Sequence, residues 1–369
     1  MNRINLQIPD APIILWLQGG PGLSSLIGLF VLNGPFRVRK DLSIARRKYS
    51  WTKAFSMLYI DNPVGCGFSF TRNDSGYAIN QNDVANNLFE ALRQFFLLFP
   101  ELNQNEFYIS GQSYAGKYVP SIARKICQQR NNVNFNLTGI AIGNAFIDPI
   151  SFLDFADMMF EVGLIDKCQA SSIRKKEKLL YSLTRSKEFS KAYYLLGEIE
   201  ATMRNYTGYS YFYNYLTTEE PRDQQYFYDY LKLNEVRKAI HVGNINFGDR
   251  TKHLVSEKLV NDFLDSVKPW FEEVLDCNYK VLVYSGNLDV TVSTSATEKF
   301  LQTLNWTYAD EFTYANRYIW LTHKDRVAGY IKRARNLWFI IVRNAGHLVP
   351  YDQPRVAFEM ITKFVYNSD

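Results

Sequence analysis

The stretch Gly111-Gln112-Ser113-Tyr114-Ala115-Gly116 sets a serine between residues small enough to let two backbone segments come close. Where such a stretch joins a strand to a helix it forms a nucleophile elbow, a strained turn that presents the serine Oγ at the end of the strand. The pattern is GxSxA, a mild departure from GxSxG, and taken alone it also reads as a small-residue turn. A nucleophilic serine needs a base, and the chain offers four histidines, His241, His253, His323 and His347. His347, in Asn344-Ala345-Gly346-His347-Leu348-Val349-Pro350, comes late and follows an apolar run, which suits the chain order serine, acid, histidine. Asp289, in Ser285-Gly286-Asn287-Leu288-Asp289, lies just past another apolar run and can fix the tautomer of the base. Singly, the bland readings are a surface-loop histidine and a turn-forming aspartate. Three such residues, each beyond a different run and in the right order, make coincidence much harder to sustain.

Attack on an acyl group also requires donors for the developing oxyanion. Gln18-Gly19-Gly20-Pro21-Gly22 follows the run Pro12 to Leu17, and glycines there leave backbone N–H groups free to point into a site. The second donor is expected to be the N–H of Tyr114, next after the nucleophile. A phosphate cradle is excluded, because the loop carries neither GKS nor GKT and lacks GxGxxG spacing. The four cysteines, Cys66, Cys127, Cys168 and Cys277, lie far apart with no zinc-ligand spacing. No metal and no cofactor is expected.

The elements that must position these residues follow from hydrophobic periodicity. The runs Pro12 to Leu17, Phe107 to Ser110 and Tyr279 to Tyr284 are each followed by small residues, as buried parallel strands are when they hand over to functional loops. Phe55 to Ile60, Leu137 to Ile142 and Leu337 to Val342 are further strand candidates, rich in β-branched or aromatic residues. From Asp83 to Phe99 apolar residues recur at Val84, Leu88, Leu92 and Phe96, predicting a helix that Pro100 ends. A second helix is predicted after Ser113, with Pro120 in its first turn. Strands alternating with helices predict an α/β fold with a mainly parallel sheet covered on both faces. Residues 151–250 are charged, Tyr-rich and helix-like, predicting a helical insertion that divides one catalytic domain into residues 1–150 and 251–369.

The 369 residues are 47 % hydrophobic and 21 % charged, which fits a folded chain of one large domain or two modest ones and excludes disorder, collagen and coiled coil. The formal net charge of +5 and pI of 8.8 fall short of the basic balance of nucleic-acid binding domains. The longest apolar runs, near Leu26 to Leu32 and Phe95 to Phe99, are far shorter than the ~18 residues of a membrane span. Neither nucleic acid nor membrane is an expected partner.

Six segments together resemble the serine carboxypeptidases, in their vitellogenic-like branch: Trp16 to Gly22, Tyr59 to Phe70, Ser113 to Pro120, Gly139 to Pro149, Ala239 to Asn244 and Gly346 to Pro354. The resemblance runs over almost the whole chain. It implies an α/β-hydrolase fold with a helical cap, removal of single residues from peptide C-termini, and Ser113, Asp289 and His347 as the triad. It also implies oxyanion donors at Gly20 and Tyr114, substrate contacts from Gln18, Gly19 and Gln112, and a secreted or lysosomal setting, and it admits a homodimer. Where relatives carry two Glu residues that share a proton and bind the terminal carboxylate, this chain has Gln112 and Leu32. That implies weaker exopeptidase selectivity and a pH profile governed mainly by His347.

Three more departures follow from the resemblance. The strand before the oxyanion loop is the third of the hydrolase order, so two N-terminal strands are expected to be missing, with Phe55 to Ile60 as an exposed edge. No secretory leader is read before Asp10, although four sequons, at Asn73, Asn136, Asn205 and Asn305, are compatible with secretion. Tyr209 and Thr218 stand where relatives carry cap cysteines, and the four cysteines present give no sign of pairing. An esterase or acyltransferase on the same machinery, or a non-catalytic binding protein that keeps the fold, stays open on these residues.

Overall fold

A computed structural model describes residues 10–248, 252–322 and 325–367. The stretch before Asp10, where no leader is read, lies outside the described residues. The strands are β1 (Ile13–Leu17), β2 (Phe36–Val38), β3 (Ile44–Arg46), β4 (Ser56–Tyr59), β5 (Phe107–Gln112), β6 (Leu137–Gly143), β7 (Lys280–Gly286), β8 (Arg317–Leu321), β9 (Val327–Ala334) and β10 (Leu337–Val342). Eight of them form one sheet in the order β4-β1-β5-β6-β7-β10-β9-β8. From β4 to β10 every pairing is parallel, and β9 and β8 add on antiparallel. All six strands expected from apolar runs are present. The β8–β9 pair was not foreseen: the short apolar run Tyr318 to Leu321 in β8 went unread, and in the fold all of it but Trp320 is exposed.

Alternation along β1 shows how the sheet is covered. Ile13, Leu15 and Leu17 join one buried apolar cluster, while Ile14 and Trp16 join another, because successive strand side chains point to opposite faces. As the strand order of the resemblance led one to expect, β4 ends the sheet among the described residues, yet all four of its side chains are buried. Phe55 beside it stacks on Tyr366 with centroids 5.7 Å apart, and the Tyr366 hydroxyl donates to the Ala54 carbonyl at 3.0 Å.

The helices are α1 (Gln81–Leu98), α2 (Ala115–Gln128), α3 (Phe155–Glu161), α4 (Lys167–Arg185), α5 (Phe189–Thr207), α6 (Tyr226–Tyr230), α7 (Asn234–Ala239), α8 (Lys252–Lys258), α9 (Lys268–Asp276), α10 (Thr294–Gln302), α11 (Ala309–Tyr314), α12 (Val349–Asp352) and α13 (Pro354–Tyr366). Asn80 caps α1 by accepting from the Asp83 N–H, and Val84, Leu88, Leu92 and Phe96 are its buried stripe. Pro120 is not in the first turn of α2. The helix starts at Ala115, directly behind the elbow, which puts the proline one turn further in. Between residues 151 and 248 the chain forms α3 to α7 and no strand.

The structure contains a cysteine pair that the spacing leaves open. Cys127 and Cys277 are disulfide-bonded across a sequence separation of 150 residues, joining the C-terminal ends of α2 and α9. Spacing conceals the pair because packing, and not proximity in sequence, sets the two ends side by side. Cys66 is buried and Cys168 exposed, both unbridged. At Tyr209 and Thr218 a backbone contact closes the loop instead, the Ser210 N–H donating to the Thr218 carbonyl at 2.9 Å.

Candidate active site

The parallel strands share a direction, so the loops after β1, β5, β6, β7 and β10 gather at one end of the sheet, where α/β folds build their sites. Ser113 follows β5 with φ of +62°, a left-handed conformation that strains a non-glycine residue by ~1–3 kcal/mol and persists only where the surroundings fix it. Here they do. The Ser113 N–H donates to the Gly143 carbonyl at 3.0 Å, and its own carbonyl accepts from Gly116 at 2.8 Å and Phe146 at 3.0 Å. Gly111 must lack a side chain, because a Cβ there would stand 2.8 Å from the Ala115 Cβ and from the Leu17 carbonyl oxygen. At Gly19 a Cβ would stand 2.6 Å from the Tyr114 nitrogen, so the glycine-rich loop lies directly against the elbow. The Gly20 and Tyr114 N–H groups donate to none of the described residues, and both residues line the same cavity as Ser113.

That cavity, of about 680 Å³, is also lined by His347. His347 Nδ1 lies 2.5 Å from Asp289 Oδ2, with both side chains buried. An ionised carboxylate only accepts, so Nδ1 is the donor and Nε2 is left as an acceptor. Asp289 is fully engaged: Oδ2 also accepts from Asn144 Nδ2 at 2.8 Å, and Oδ1 accepts from the Thr291 N–H at 2.8 Å and its hydroxyl at 2.7 Å. Tyr213 stacks on the imidazole, centroids 4.2 Å apart at 19°, and its carbonyl accepts from the His347 N–H at 2.6 Å. Nε2 is buried without a hydrogen-bond partner among the described residues, as a base does before a substrate draws the nucleophile toward it.

A family model described as serine carboxypeptidase matches residues 5–367. The chain belongs to the serine carboxypeptidase family. A probable serine carboxypeptidase of Homo sapiens is 44 % identical over 374 residues, spanning 98 % of this chain and 78 % of that protein. The venom serine carboxypeptidase of Apis mellifera is 41 % identical and vitellogenic carboxypeptidase of Aedes aegypti 40 %, each over 97 % of this chain and 78 % of the relative. Among solved structures, a prohormone-processing carboxypeptidase from Saccharomyces cerevisiae superposes with a TM-score of 0.86 at 25 % identity, over 97 % of this chain and 83 % of that one. The enzyme is thus a hydrolase of the serine carboxypeptidase type on an α/β-hydrolase fold, as its motifs led one to expect.

Of the remaining residues expected to contact substrate, Gln18 and Gln112 line the cavity and Gly19 lies against the elbow. Gln18 lines the cavity and is buried, its Oε1 accepting from Trp16 Nε1 at 3.1 Å. Gln112 lines it too, 1 % exposed, with neither amide atom paired among the described residues. Leu32 is fully buried in the apolar cluster on the other face of β1. Of the other histidines, His241 is exposed just past α7, whereas His323 and the His253 side chain lie outside the described residues. Sequence reasoning missed Asn144, Thr291, Tyr213 and, behind the elbow, a buried ion pair of Lys117 with Asp262, Nζ to Oδ2 2.8 Å. Asn144 carried a signal, standing in Gly143-Asn144-Ala145 after a strand like the other site loops, and so did Lys117, a charge between apolar positions of α2.

Among the described residues, no helix is long and apolar enough to cross a membrane.

Proposed function

We propose that the chain cleaves the last peptide bond of peptides bearing a free C-terminus through an acyl-enzyme on Ser113. His347 Nε2 takes the Ser113 proton as Oγ attacks the carbonyl carbon, and returns it to the leaving amine. Asp289 holds the imidazole in the required tautomer and stabilises the imidazolium. The Gly20 and Tyr114 N–H groups stabilise the oxyanion, and water, deprotonated by His347, then releases the acyl group. The observation that carries this is the joint lining of one cavity by a serine on a strained elbow, a carboxylate-locked histidine and two unengaged backbone N–H groups. Residues 151–250 act as a cap insertion over a catalytic domain made of residues 1–150 and 251–369; the lining of the cavity by Leu196, Met203 and Tyr211 supports that division. All four sequon asparagines are exposed, which supports a secreted or lysosomal setting.

Gln112 favours a second reading within the same chemistry. A neutral, unpaired amide beside the nucleophile offers a carboxylate one donor but cannot supply a shared proton, so esters lacking a terminal carboxylate would lose little by comparison. Fluorophosphonate labelling, together with release of the last residue from a blocked dipeptide, its amide and a simple ester, tests both. The expected result is an adduct on Ser113 in the wild type and a loss of about 10⁴-fold or more in Ser113→Ala. No adduct in folded protein would overturn both readings. An ester rate far above the dipeptide rate would favour the second.

A further inference from the structure

Behind the elbow, outside the groups assigned so far, lies a buried charge cluster. Asp262, in the connection between α8 and α9, is 7 % exposed. Its Oδ2 accepts from Gln81 Nε2 at 2.6 Å, from Lys117 Nζ at 2.8 Å and from the Tyr114 hydroxyl at 3.0 Å. Its Oδ1 accepts from the Gln81 N–H at 3.1 Å, at the start of α1, where the helix dipole favours a negative charge. Its own carbonyl also accepts from Lys117. Burial pulls the Lys117 ammonium below the usual lysine range, against the raising effect of Asp262.

Apolar residues of the same volume would fill this space at no loss of stability, and often at a gain. What the carboxylate does that they cannot is hold three donors at one oxygen. One belongs to Tyr114, a cavity-lining residue whose N–H is unengaged among the described residues and whose hydroxyl is anchored at the far end of the side chain. The Tyr114 ring is further stacked on Phe263, centroids 5.1 Å apart at 26°, and Phe263 itself lines the substrate cavity and meets Tyr193 of α5 edge-on at 5.1 Å. Tyr114 is thereby fixed at its ring face and its hydroxyl, and its carbonyl accepts from the Lys117 N–H at 3.0 Å.

We propose that Asp262 is a positioning residue for the oxyanion hole, with Lys117 as its counter-charge, acting through the Tyr114 hydroxyl to fix the direction of the Tyr114 N–H. This rests on the acyl-transfer reading above. Asp262→Leu, of similar volume, removes the oxygen that the three donors share, so Tyr114 loses its anchor. Removing an oxyanion donor outright costs about 10²–10³-fold in kcat, and a misdirected donor is expected to cost ~10-fold or more with KM changed less than about twofold. A peptide boronic acid, which places a tetrahedral oxyanion in the hole, should lose affinity by the same factor as kcat/KM. Noncovalent binding of a product peptide should not move.

Asp262→Leu alone leaves the Lys117 charge buried and without its counter-charge, which can itself prevent folding. The paired variant Asp262→Leu with Lys117→Met removes both charges and is expected to fold with the same catalytic loss. If the boronate fails to compete with fluorophosphonate in the wild type, the acyl-transfer reading falls and this proposal with it. If it competes, and a folded variant keeps wild-type kcat and boronate affinity, the positioning role alone is overturned.

Discussion

The two halves of the site are built in opposite ways. On the nucleophile side, Gly111 to Gly116 and the loop Gln18 to Gly22 supply the chemistry from two short segments, and adjacency in sequence sets most of the geometry. On the histidine side, Asn144, Tyr213, Asp289, Thr291 and His347 arrive from four separate stretches. Contacts among loops do there what a single turn does at Ser113. A local device depends mostly on its own few residues, with Asp262 proposed as its remote anchor, whereas an assembled device has as many weak points as it has segments.

Asp289→Asn is the most severe way to test that assembled half. The substitution keeps the volume but presents an amide to His347, which removes the preference for the tautomer with a proton on Nδ1. It also sets an NH2 group against Asn144 or Thr291, both of which donate to the wild-type carboxylate. The expected loss is about 10⁴-fold in kcat, with fluorophosphonate labelling of Ser113 slowed in parallel. Labelling at the wild-type rate would mean that the nucleophile half is activated without its partner, and the contrast drawn above would fail.

Tyr213 gives a smaller and sharper test, because it comes from the mid-chain insertion. Its ring covers one face of the imidazole, and its carbonyl anchors the His347 backbone whatever side chain is present. Tyr213→Ala is expected to lower kcat about tenfold, since small displacements of a catalytic group are costly. Tyr213→Phe, which keeps the ring, should stay within about twofold of wild type. Equal losses in the two variants would assign the effect to the hydroxyl and not to stacking.

This contrast also explains what could be read in advance. The six buried strands, α1, the elbow and the triad were legible because each leaves a local mark: an apolar run, a four-residue repeat, small residues around a serine, a polar residue just past a strand. Tyr213 leaves none, since in a Tyr-rich stretch nothing distinguishes the one ring that lies on His347. Cys127 and Cys277 likewise carry no trace of each other across 150 residues. The Lys117–Asp262 pair was hidden for the same reason, its partners standing 145 positions apart. Long-range partners are selected by the fold, and they become visible only with it.

Asp352 offers the smallest expected effect and separates charge from hydrogen bonding in the histidine half. Its Oδ2 accepts from the Gly346 N–H at 2.7 Å and from Asn214 Nδ2 at 3.1 Å, tying the histidine loop to the insertion. Burial raises its carboxyl above the ordinary aspartate range, only partly opposed by those two donors. A carboxyl raised on folding contributes stability below its unfolded pKa, and that contribution is lost as pH rises through the folded value. Asp352→Asn retains an oxygen for both donors and removes the charge. Its melting temperature should therefore match wild type at pH near 3, where both side chains are neutral. It should exceed wild type by on the order of 1–2 °C at pH 7. A variant less stable at neutral pH would show that the carboxylate's charge, through its pull on the two donors, holds the loop more strongly than burial penalises it, and the histidine half would then share the charge-anchored construction of the nucleophile half.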